Sequence, residues 1–289
     1  MTWTYLIGWS LVHFLWQGAL VVTGCAVVLA LAGNRSPVLR YAVSVGALAL
    51  MAVLPMATGM WLAQGHGRAG VTVETAEAAE TAGTAATGGT AGAAGAANVA
   101  EIDAPRLRSV APSALGTWLR PRLERAMPSL VFVWLAGVLA LSLRLLGGWA
   151  WSRRLTIAGV RPAGEQYLAM LHALAVRLRV TRPVRLLEST LVQVPAVVGW
   201  LRPTLLFPVS LASGLTTEQV EVLLAHELAH VRRHDYAVNL LQAVIETVLF
   251  YHPAVWWMSR RIREEREHCC DDLAVAATGS PRVYAGALL

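Results

Sequence analysis

The sequence predicts an α-helical membrane protein carrying one α+β domain toward its C-terminal end, and three observations predict it. Apolar residues make up 56 % of the 289 and charged residues only 15 %, against roughly 25 % charged in ordinary soluble domains. The apolar surplus is gathered into three runs long enough to cross a bilayer. After them come three short strand-like pieces and then the stretch 216–236, TTEQVEVLLAHELAHVRRHDY, whose apolar residues repeat at helical spacing.

The first span covers residues 5–32, with Trp3, Tyr5, Trp9 and Trp16 toward its start as interfacial aromatics. Ala30-Leu31-Ala32 resembles a signal-peptide cleavage site, but no basic segment precedes the run and the run is too long for that reading. A turn containing Arg35, Pro37 and Arg40 leads to the second span, 41–63, so residues 1–63 read as a helical hairpin. The arginines place that turn in the cytoplasm and the N-terminus outside. Residues 64–128 include the tract ETAEAAETAGTAATGGTAGAAGAA, poor in large apolar side chains, and are expected to form a flexible extracytoplasmic loop. The third span, 129–151, follows Pro128 and closes on Trp149, Trp151 and Arg153-Arg154, returning the chain to the cytoplasm. Arg144 inside it is costly in lipid and is expected to snorkel toward the inner face. The location expected is therefore the inner (cytoplasmic) membrane, multi-pass.

The net charge of +6 is carried by arginine alone, for the chain has no lysine. These arginines flank apolar segments or lie in the polar parts, so no nucleic-acid surface is expected. The three cysteines, Cys25, Cys269 and Cys270, lack both a disulfide framework and a C-x-x-C spacing.

Residues 152–289 read as the α+β domain. An amphipathic helix over 164–178 carries His172, taken as structural. The apolar pieces 184–187, 194–200 and 204–207, the last two separated by a turn at Arg202-Pro203, suggest a small antiparallel sheet. Thr216 and Gln219 form a capping box that starts the next helix. A further helix spans 235–250, with Asn239, Gln242 and Glu246 on one face that either lines a polar cavity or is solvated. His252-Pro253 breaks it, and Trp256 and Trp257 read as an interfacial anchor or as core. The acidic helix SRRIREEREHCCDDLAVAATG then runs to a glycine stop, and Ser280-Pro281 opens a helical pattern that Leu289 cuts off, so the domain reads as truncated at its C-terminus.

The chemistry sits in His226-Glu227-Leu228-Ala229-His230. Four residues apart on a helix, His226 and His230 present their rings on one face and can grip one ion. Glu227 lies about 100° round the helix from His226, within reach of a water on that ion without ligating it. Two imidazoles and a carboxylate suit a zinc ion that keeps an open position. The third ligand is sought in the acidic helix. Glu267 and Asp271 share a face, so that Glu267 can bind while Asp271 turns to a ligand imidazole; by spacing alone Glu264 and His268 stay open as competitors.

The segments HELAHVRRHD, YHPAVWW and IREEREHCCDD, following three apolar spans, resemble the BlaR/MecR-type integral-membrane zinc metallopeptidases, the gluzincin-like peptidase domains of β-lactam sensor-transducers and their relatives. The resemblance implies His226, His230 and Glu267 as metal ligands, Glu227 as catalytic base, and a cytoplasmic zinc domain. Sensors of that family also carry a penicillin-binding domain with an S-x-x-K acylation motif; without lysine, these 289 residues hold no such motif.

The expected function is thus a membrane-embedded zinc metalloendopeptidase acting in signal transduction on a protein substrate at the cytoplasmic side, either a transcriptional repressor, as the resemblance suggests, or the chain itself. The expected partners are that substrate and the bilayer, with room for a homodimer. The rival is a non-catalytic signalling scaffold in which zinc staples two helices. A structural site has no need of Glu227 and is generally closed by four ligands. His234, His252 and Arg263 are the candidates for stabilising an oxyanion, with none preferred.

Overall fold

The computed structural model describes residues 3–33, 36–85, 114–199, 201–279 and 286. Three long helices come first: α1 (Trp3–Ala32), α2 (Pro37–Ala85) and α3 (Ala114–Leu155). Strand β1 (Val160–Pro162), helix α4 (Glu165–Arg177), and strands β2 (Arg185–Ser189), β3 (Ala196–Val198) and β4 (Thr204–Pro208) follow. The chain then forms α5 (Val209–Gly214), α6 (Thr217–Arg233), α7 (Asp235–Val248) and α8 (Pro253–Thr278). Trp3–Ala32, Pro37–Gln64 and Pro121–Leu155 are long and apolar enough to cross a membrane.

Two expectations need correction. Where a loop was expected from 64 to 128, α2 continues to Ala85 and α3 already starts at Ala114, carrying Pro121 and Pro128 inside it; the expected loop segment 86–113 lies outside the described residues. Lack of large apolar side chains rules out a packed core, but it does not oppose helix, and Ala and Glu are strong helix formers. The sheet is also mixed rather than antiparallel. Its order is β1-β2-β4-β3, with β2 and β4 parallel and the outer pairs antiparallel. The link after β2 carries the chain two strand positions outward, so β4 returns into the gap between β2 and β3. Strand periodicity identifies segments but not neighbours. β1, three residues ending in proline, gives no signal of its own.

The chain divides into two compact units, residues 1–13 with 55–133, and residues 14–54 with 134–289. In the first, the Gly8 backbone sits against Met127, and Gly59 lies beside Ser10. The second holds both larger cores. One packs α4, the sheet and α6 around Leu174, Leu205, Phe207, Leu224 and Leu228. The other joins α1 and α2 to α7 and α8 through Phe14, Met51, Leu249, Val255, Met258 and Ile262.

Local sequence explains how the site-bearing helices start and stop. The Thr216 hydroxyl accepts the Gln219 N–H while the Gln219 side chain accepts the Thr216 N–H, the capping box expected. His234 takes a left-handed conformation, φ 61°, which ends α6 and turns the chain directly into α7. His252 caps α8 with its ring accepting from Ala254 N–H, Pro253 occupies the first helical position, and Gly279 at φ 73° ends the helix. His252 also donates to Leu15 O at 3.0 Å, and its ring lies close over Gly18 of α1.

Candidate metal centre

Helix α6 displays His226 and His230 one turn apart, as the spacing requires, and α8 brings Glu267 against them. The Nε2 atoms of the two imidazoles are 3.2 Å apart, and Glu267 Oε2 lies 3.5 Å from the first and 3.6 Å from the second. An ion bonded to each donor at 2.0–2.1 Å with tetrahedral angles would hold its ligands about 3.3 Å apart. The triangle fits such an ion.

The backs of both rings are held by carboxylates. Asp271 Oδ1 is 3.2 Å from His226 Nδ1, and Asp235 Oδ2 is 2.8 Å from His230 Nδ1. A carboxylate that accepts from Nδ1–H leaves Nε2 as the nitrogen able to bind a metal once the ring is neutral, and here the two Nε2 atoms lie close together. Arg266 donates to Glu267 Oε1 at 3.3 Å and fixes the other end of that carboxylate. Of the competitors for third ligand, Glu264 pairs with Arg261, while His268 is exposed and outside the donor cluster.

Asp235 and Cys270 were not found by sequence reasoning. Asp235 is buried, and the turn at His234 points it back at His230. Its signal was an acid five residues after the second histidine, just beyond a helix end. The fully buried Cys270 thiol donates to Asp235 Oδ2 at 3.4 Å and lies 3.3 Å from His230 Nδ1. His230, Asp235 and Cys270 are themselves close enough to form a second donor cluster. Burial pushes the Cys270 thiol up to about 11, so it stays protonated and acts as a hydrogen-bond donor there rather than as a thiolate.

The remaining electrostatics follow from crowding. Burial raises the Glu227 carboxyl above its usual range, with the two histidines opposing and Glu267 adding to the rise. Hydrogen bonds from His226 and His230 hold Glu267 well below it. For His230 burial opposes the charged form, but hydrogen bonds to Asp235, Cys270 and Glu267 overcome it and push the ring up to about 12.

Glu227, His230 and Glu267 line a cleft of about 300 Å³, whose far wall includes Pro195, Val197 and Gly199 along β3. Gly199 turns the chain at φ 96°, where any side chain would meet Arg202 O. Among the oxyanion candidates His234 lines this cleft, as do Tyr236 and Asn239. Arg263 is paired with Glu246 at 2.9 Å and His252 serves as the α8 cap, so neither reaches the cleft. Of the polar face on α7, Asn239 lines the cleft, Gln242 is buried and donates to Ser259 O, and Glu246 meets Arg263. Trp256 and Trp257 are partly exposed and belong to neither core.

The family model described as BlaR1 peptidase M56 matches residues 19–289. Regulatory protein BlaR1 of Bacillus licheniformis is 28 % identical over 107 residues, 37 % of this chain and 18 % of that protein. The methicillin resistance mecR1 proteins of Staphylococcus aureus and Staphylococcus epidermidis are 26 % identical over 77 residues, 27 % of this chain and 13 % of each of those proteins. The alignments therefore span less than a fifth of the length of these relatives. With a family match over nearly its whole length and three helices fit to cross a bilayer, this chain belongs to the BlaR1 peptidase M56 family of membrane metalloproteases.

Proposed function

We propose that the chain is a zinc metalloendopeptidase that cleaves a protein at the cytoplasmic face of the inner membrane as a step in signal transduction. The observation that carries this reading is the donor triangle of His226, His230 and Glu267, two of which, His230 and Glu267, line a cleft together with Glu227. The ligands would be those three side chains, with Asp235 and Asp271 fixing the imidazoles from behind. A zinc ion bound there supplies Lewis acidity, acidifying water and polarising a carbonyl.

The chain's own residues supply the rest. Glu227, whose carboxyl burial pushes up, takes the proton of the attacking water and returns it to the leaving amine. β3 is the last strand of the sheet on the cleft side, so an extended substrate can pair with its outer edge. The arginine turn before α2 and Arg153-Arg154 after α3 support a cytoplasmic cleft. The likeness to a relative named as a regulatory protein supports a regulatory role, and the substrate within this reading is a repressor or the chain itself. A homodimer remains compatible with this reading.

The test is proteolysis of a peptide library by the purified chain in detergent, compared with Glu227→Gln. The expected outcome is equal zinc content and a loss of cleavage of about 10²–10⁴-fold, the range for removing a general base. A zinc-bearing wild-type chain that cuts nothing would instead favour a structural staple between α6 and α8.

A further inference from the structure

The peptidase cleft has a second cavity beside it, lined in part by α3. Helix α3 meets the end of α7 where Trp134 Nε1 donates to Val248 O at 2.8 Å and the Phe250 ring lies against the Gly137 backbone. Between Leu141–Ser152 of α3 and Tyr236–Thr247 of α7 lies a groove of about 740 Å³. Its walls are mostly apolar, formed by Leu141, Leu145 and Trp149 on one side and Leu240 and Ala243 on the other. Val197, Tyr236 and Asn239 line both the groove and the cleft, so the two adjoin. Along α3 the groove extends about 17 Å, room for about three turns of helix or five extended residues.

One wall belongs to a helix fit to cross a membrane, and it carries a charged side chain. Arg144 lines the groove, is exposed, and has no ion pair among the described residues. A guanidinium at that depth is costly unless it meets carbonyls or a carboxylate, which an incoming polypeptide supplies. A lipid chain would fill the apolar part equally well, but only a polypeptide entering by the groove would continue past Tyr236 and Asn239 to the edge of β3.

We propose that the groove between α3 and α7 admits the membrane-proximal segment of a membrane-anchored polypeptide, so that the substrate class is an anchored protein cut a few residues from its apolar segment. This rests on the peptidase reading above. Arg144 then holds backbone carbonyls or an acidic side chain of the entering segment.

Two glycines make the test. A side chain at Gly148 would meet nothing within 4 Å, and Gly148 lines the groove; Gly147 is equally open but does not line it. The full chain is reconstituted with zinc into vesicles holding a randomised peptide library, either free in the lumenal and outer solution or fused to an apolar anchor of about 20 residues. Anchoring alone raises local concentration, so the deciding comparison is Gly148→Trp against Gly147→Trp. Gly148→Trp is expected to lower cleavage of the anchored library about tenfold or more while sparing the free one, and Gly147→Trp to leave both unchanged. Cuts in the anchored library are expected to cluster next to the anchor.

A second arm does not depend on turnover. A photoreactive benzoylphenylalanine at position 148 in the Glu227→Gln background is expected to cross-link the anchored peptide. Cross-links to lipid alone, or equal loss in both tryptophan variants, would overturn the proposal. No cleavage of either library by the wild type, with peptide cross-linking retained, would overturn the peptidase reading and leave the groove assignment standing.

Discussion

Asp235 Oδ2 lies 2.8 Å from His230 Nδ1, and the residue between their two helices, His234, is held in a left-handed turn that makes this approach. A buried carboxylate on the far nitrogen of a ligand histidine sets its tautomer and raises its basicity. Asp235→Ala should therefore weaken zinc binding about 10–100-fold, as removing such partners does elsewhere. Competition with a chromogenic chelator measures this without any substrate. Asp235→Asn, which still accepts from Nδ1–H, should recover part of the loss; equal affinity in all three proteins would contradict the role.

Metal uptake should expel a proton. Without metal, His230 is pushed up to about 12, chiefly against the cost of burial, by its bonds to Asp235, Cys270 and Glu267. A raised folded-state value means that protonation stabilises the metal-free fold fully below the ordinary histidine range and ceases to do so only as pH rises through about 12. Around neutral pH the ring is thus charged and must lose its proton to bind. Apparent zinc affinity should rise about tenfold per pH unit for one proton released, and calorimetry in two buffers of different ionisation heat should count that proton. A flat affinity across this range would contradict it.

The close seat of His252 over Gly18 gives a packing test. A methyl at Gly18 would sit 2.7 Å from His252 Nε2, whereas one at Gly24 on the same helix meets nothing. Gly18→Ala should cost about 1–3 kcal/mol as an overpacking change, and Gly24→Ala should be neutral or mildly stabilising. Thermal unfolding in detergent separates the two.

The capping box at the start of α6 can be tested the same way. Thr216→Ala removes the side chain that accepts Gln219 N–H and should cost about 1 kcal/mol. No loss would mean the helix start is held by the sheet-side core instead.

What was legible in the sequence follows from what is local. The capping box, the proline at the start of α8, the glycine stop and the i, i+4 histidines are each written in a few adjacent residues, and each appears where expected. Strand neighbours are not local, so β4 entering between β2 and β3 was invisible. Glu267 and Asp271 could be placed on one face of α8, but nothing in α8 alone says which face meets α6. Asp235 was missed because its function depends on the left-handed backbone turn at His234, a conformation for which a histidine is only a weak signal. The groove beside α3 was missed for a related reason: Arg144 was visible as an oddity in an apolar run, and its surroundings required α7 to be in place.

The most direct measurement is X-ray absorption at the zinc edge on the wild type and on Glu267→Ala, with metal content determined on the same samples. One ion per chain is expected, with two imidazole nitrogens and a carboxylate oxygen at 2.0–2.2 Å, and loss of the ion or of the carboxylate oxygen in the variant. A wild-type spectrum with sulfur at about 2.3 Å, or an unchanged spectrum in Glu267→Ala, would contradict the assignment of His226, His230 and Glu267 to one metal.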